Sequence, residues 1–64
     1  MSEVAIARSY ILGFLSGLKF TKSDKFFSYQ EKWISIDMID DDNVRHEETI
    51  QYYKTILFVN GGMF

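Results

Sequence analysis

Six carboxylates crowd into twelve residues, Asp37, Asp40, Asp41, Asp42, Glu47 and Glu48, with Arg45 the one base among them. The local balance is −5, and the rest of the chain carries six bases and three acids, a balance of +3. Oxygen ligands at such density suit a hard cation. The spacing fails the calcium-loop pattern, because no glycine stands at the sixth position counted from either Asp37 or Asp40. No metal site follows. An exposed run of carboxylates can instead dock on a basic surface and speed association with it. Asp40, Asp41, Asp42, Glu47 and Glu48 are therefore the candidate protein-binding residues. A partner that binds nucleic acid would offer them its phosphate groove.

His46 is the single histidine, flanked by Arg45 and Glu47. A catalytic imidazole needs a nucleophile or second acid held at hydrogen-bond distance. The chain has no cysteine, no serine in a Gly-x-Ser-x-Gly setting and no second histidine for a zinc-protease helix. No phosphate loop or dinucleotide fingerprint appears. These absences predict a protein that is not an enzyme and takes no cofactor.

Lys19, Lys22 and Lys25 lie near Phe20, Phe26, Phe27 and Tyr29. Mixed cations and rings suit single-stranded nucleic acid, where rings stack on bases and lysines meet phosphates. Three lysines give a weak, salt-sensitive grip, and a net charge of −2 supplies no global basic field. Nucleic acid is the lesser expectation.

The elements that would position these residues begin with a helix over Glu3 to Lys19, N-capped by Ser2. Val4, Ala7, Ile11, Phe14, Leu15 and Leu18 fall on one arc and should face the core. Ala5, Ser9, Gly13, Ser16 and Gly17 share the opposite sector. A glycine inside a helix costs ~1 kcal/mol against alanine. Close approach of another backbone would account for Gly13 and Gly17, so this face is a second candidate interface.

Residues 20–25 read as a connection. Phe26 to Tyr29 is short and strand-compatible. Trp33 to Ile39 reads as the clearest strand, with Ile34, Ile36 and Met38 alternating with polar residues. Asp40 to Asn43 forms a turn. Thr49 to Val59 is rich in β-branched and aromatic residues and favours strand, although Ile50, Tyr53 and Leu57 also share a helical face and the acidic turn could cap a helix there. Asn60-Gly61-Gly62 would end the element. The predicted fold is α+β, with the amphipathic helix packed on a small two- or three-stranded antiparallel sheet. Val4, Ile11, Phe14, Leu15 and Leu18 would meet Ile34, Ile36, Met38 and residues 56–59. The alternative is a three-helix bundle with later helices over 24–38 and 43–59.

Sixty-four residues bound the chain to a single small domain, 1–64. Eleven aromatics are many for so small a core, since each can bury on the order of 150–250 Å². The excess predicts a partner: a second copy or a larger protein. The apolar stretch Val4–Leu18 contains Arg8 and falls short of the ~20 residues a membrane span needs. Without cysteine nothing indicates an oxidising compartment, so a cytoplasmic location is expected. The functional expectation is a non-enzymatic interaction module, such as a small inhibitor from a mobile element that blocks a host enzyme. A nucleic-acid accessory protein and a self-assembling structural subunit are its rivals.

Overall fold

Ser2 opens a helix as its side chain predicts: its Oγ accepts the Ala5 N–H at 3.2 Å. That helix, α1, runs Glu3–Phe20. In the computed structural model, which describes residues 2–61 with side chains through residue 59, two more helices follow: α2 (Phe26–Asp37) and α3 (Asp42–Gly61). No strand occurs among the described residues. The α+β expectation, with its antiparallel sheet, is thereby corrected to a small all-helical fold, and the three-helix alternative describes the chain.

The reason lies in which residues are buried. Across α2 the inward positions are Phe26, Tyr29, Trp33 and Ile36, spaced three, four and three apart, a helical stripe. The Ile34-Ile36-Met38 alternation is incidental: only Ile36 is buried, whereas Ile34 and Met38 are exposed. In α3 the buried residues are Thr49, Tyr52 and Ile56, again at helical spacing. Its β-branched residues each cost a few tenths of a kcal/mol of helix propensity, and burial of Tyr52 and Ile56 outweighs that, at ~1.5–3 kcal/mol for a large apolar side chain. The Thr49 and Thr55 hydroxyls donate back to the Arg45 and Gln51 carbonyls, at 2.8 and 2.9 Å. Of residues 56–59, a stretch predicted to contribute to the core, Ile56 is buried and Phe58 and Val59 are exposed. The helix continues through Gly61, and Gly62 of the expected terminator lies outside the described residues.

Short connections make α2 antiparallel to both neighbours. Arg8 meets Asp37, and Phe14 meets Tyr29 edge-on at 5.0 Å. Tyr52 of α3 stacks on Trp33 at 6.4 Å. Helices α1 and α3 therefore run parallel, and Tyr10 meets Tyr53. The shared core is Ile11, Leu15, Trp33, Ile36, Tyr52 and Ile56. The Tyr52 hydroxyl donates to the Tyr29 carbonyl at 2.7 Å. Burial, with a smaller contribution from Tyr29, pushes the Tyr52 phenol up to about 12. Arg8 closes the core's lower edge: its guanidinium lies 5.2 Å from the Trp33 ring centroid and 3.1 Å from Asp37. Among the described residues no buried side-chain nitrogen or oxygen lacks a partner, and no helix is long and apolar enough to cross a membrane.

Candidate functional site at the α1–α2 hairpin

The acidic run has structural work to do. Asp41 is the N-cap of α3: its Oδ1 accepts the Val44 N–H at 3.0 Å, and its carbonyl takes the Arg45 N–H at 2.8 Å. Asp42, in the first turn, pairs with Arg45. Arg45 also donates to the Ile39 carbonyl at 2.9 Å, tying the end of α2 to the start of α3. Carboxylates at a helix N-terminus are favoured by its partial positive charge. The five candidate acids do not form one surface. Asp40, Asp41, Asp42 and Glu47 are exposed, while Glu48 is half-buried in the α2–α3 cleft with Lys32 and Ile36. His46 is exposed. Among the described residues no group of three or more His, Asp or Glu side chains could hold a metal.

Ala5, Ser9, Gly13, Ser16 and Gly17 are all exposed on α1. A Cβ added at Gly13 or Gly17 meets nothing within 4 Å, so no neighbour within the chain requires glycine there.

The third cluster departs from local preference. Helix α1 ends in a Schellman arrangement: the Lys22 N–H donates to the Lys19 carbonyl at 3.1 Å, and the Ser23 N–H to that of Leu18 at 2.9 Å. The left-handed position of this motif normally holds glycine. Here Lys22 occupies it, with φ 56°, at a cost of ~1–2 kcal/mol. The Thr21 hydroxyl lies within hydrogen-bond range of the Gly17 and Leu18 carbonyls, at 3.1 and 3.2 Å, and secures the same turn. Lys25 is the N-cap of α2, where it makes no side-chain capping bond and sets a cation against the helix's positive end. Phe20 and Phe27 are 88% and 75% exposed. Lys19, Lys22 and Lys25 are exposed beside them.

Below this turn an open groove runs between α1 and α2. Its upper part, 460 Å³, is lined by Leu18, Lys19, Lys22, Ser23, Phe26, Phe27 and Gln30. Its lower part, 240 Å³, shares Lys19, Phe26 and Gln30 and adds Leu12, Leu15, Ser16, Trp33 and Ile34. The lining is mostly apolar, with lysines at one end. The groove is too open to enclose a small ligand over most of its surface, as ligand pockets do, and a macromolecular surface fits it better.

Lys19, Lys22 and Lys25 are visible in the sequence, and the groove beside them is not. Leu12 carried the available signal: it lies outside the core arc of α1, about 100° from Ile11, with Ser16 and Lys19 one and two turns further along. Ile34 could be recognised as exposed only with α2 read as a helix. The chain matches no family model, no curated protein and no solved structure.

Proposed function

We propose that this chain is a non-enzymatic interaction protein that works by seating its α1–α2 side on a larger protein. The observation that carries the reading is the apolar groove between Leu12 and Ile34, continued upward into the exposed Phe27 and Phe20. Contiguous exposed apolar surface beside charged residues characterises interaction sites, and aromatic anchors dominate interface energetics. A small inhibitor covering a working surface of its partner is the specific form this takes. A photocrosslinking residue at Leu12 or Phe27, in cells of the source organism, is expected to capture a larger protein. Capture from position Asp40 alone would move the contact to the acidic end, and no capture from any of the three would set the reading aside.

Binding of single-stranded nucleic acid is the second reading, favoured by the exposure of Phe20 and Phe27 beside three lysines. Titrating a fluorescent oligothymidine at low salt decides it. Unchanged anisotropy eliminates this reading and leaves the first intact.

A further inference from the structure

We infer that copies of this chain associate head to tail, the cationic phenylalanine end of one seating on the acidic end of the next. The two ends differ because of the topology. The turn between α1 and α2 and the turn between α2 and α3 lie at opposite ends of α2, about 18 Å apart for twelve residues at 1.5 Å each. The first end carries Lys19, Lys22 and Lys25 against Asp24, a side-chain balance of +2. The second carries Asp40, Asp41, Asp42 and Glu47 against Arg45, a balance of −3. Each end also exposes apolar groups: Phe20 and Phe27 at the first, Met38 (74% exposed) and Val44 at the second.

Helix dipoles do not cancel this polarity. The parallel α1 and α3 each place about +0.5 charge at the acidic end, and α2 returns about −0.5. The net half-charge is small against three units of side-chain charge. One end thus offers rings rimmed by cations, and the other offers aliphatic side chains rimmed by carboxylates. Each supplies the chemistry that the other lacks.

The contact is small. The molecule measures 32 × 23 × 17 Å, so an end presents roughly 300–400 Å² and two ends together bury well under the ~1,200 Å² of a stable interface. Association is therefore weak, salt-sensitive and concentration-dependent. Unlike ends also leave a free end at each step, so assembly grows in rows and does not stop at a closed dimer. This inference does not rest on the partner reading, which crosslinking from Leu12 tests separately.

Charge exchange tests it. Lys22→Glu with Lys25→Glu reverses one end, and Asp40→Lys with Glu47→Lys reverses the other. All four side chains are exposed and hold none of the hydrogen bonds described above. In sedimentation velocity at low salt the wild-type chain is expected to gain mass progressively with concentration. Each reversed variant alone should lose association by at least about tenfold, because like charges then face each other. An equimolar mixture of the two should regain it. A wild-type chain that stays monomeric at millimolar concentration, or a mixture that fails to recover association, overturns the inference. Should a variant fail to fold, dilution of the wild-type chain followed by amide chemical shifts gives the same decision. Shifts at 20–27 and 38–47 that vanish near 1 M salt, where the screening length falls to about 3 Å, support head-to-tail contact. Shifts confined to Ser9, Gly13 and Gly17 overturn it.

Discussion

The two turns of this bundle solve the same problem in opposite ways. Between α2 and α3, Asp41 caps the incoming helix, Asp42 pairs with Arg45, and Arg45 binds the Ile39 carbonyl. Charge, cap and backbone agree there. Between α1 and α2, a lysine occupies the left-handed position, another lysine stands at the start of α2 with no capping bond from its own side chain, the Ser23 Oγ accepting its N–H at 3.2 Å, and two phenylalanines face water. Natural sequences tend to break local rules where a site is being served. Folding accounts for Asp41 and Asp42 of the acidic turn, but not for Lys22 and Lys25 of the basic one.

The largest effect is expected in the core that both turns enclose. Tyr52 keeps its phenolic proton in the folded state to about pH 12, whereas an unfolded tyrosine releases it near 10. The folded state therefore binds more protons across that window, and stability falls as pH rises through it. The loss approaches ~2–3 kcal/mol by pH 12, at 1.36 kcal/mol per pH unit. Tyr52→Phe should cost about 1 kcal/mol at neutral pH by losing its bond to the Tyr29 carbonyl. Urea midpoints from pH 9 to 12 should also show the alkaline decline reduced in that variant. An equal decline would place its cause elsewhere.

Next in size is the acidic turn. Asp41→Ala should destabilise by ~1 kcal/mol, the usual worth of an N-cap, read as a lower denaturation midpoint with an unchanged slope. No effect would remove the structural explanation of the acids. On the open face of α1, Gly13→Ala should stabilise by up to ~1 kcal/mol, because its Cβ enters empty space. A loss of stability or of assembly would identify that face as a contact after all. The smallest effect belongs to Lys25→Asp, which should add a few tenths of a kcal/mol by placing a carboxylate at the start of α2. Its thermal midpoint checks the sign.

Legibility in the sequence followed periodicity. Helix α1 was readable because Ala7, Ile11 and Leu15 repeat cleanly and Ser2 announces the cap. Helix α2 was not, because exposed Ile34 and Met38 imitate a strand and hide the Phe26-Tyr29-Trp33-Ile36 stripe. In α3, Tyr52, Thr55 and Ile56 have high strand propensity, and only packing against α1 and α2 overrules it. Of the candidate site, the lysines and phenylalanines were visible as types. Their exposure depends on the direction of α2, and nothing in the sequence marks Lys22 for a left-handed conformation that glycine or asparagine would have signalled.

Lys22 and Lys25 stand in the α1–α2 turn at positions where the fold itself favours other residues. Urea denaturation of the double variant Lys22→Gly/Lys25→Asp, followed by Trp33 fluorescence, measures what those two lysines cost. A gain of ~1–2 kcal/mol at an unchanged slope is expected, from relief of the left-handed lysine and restored charge at the start of α2. A double variant no more stable than the parent would contradict it, because the turn would then carry no conformational cost for a contact to explain.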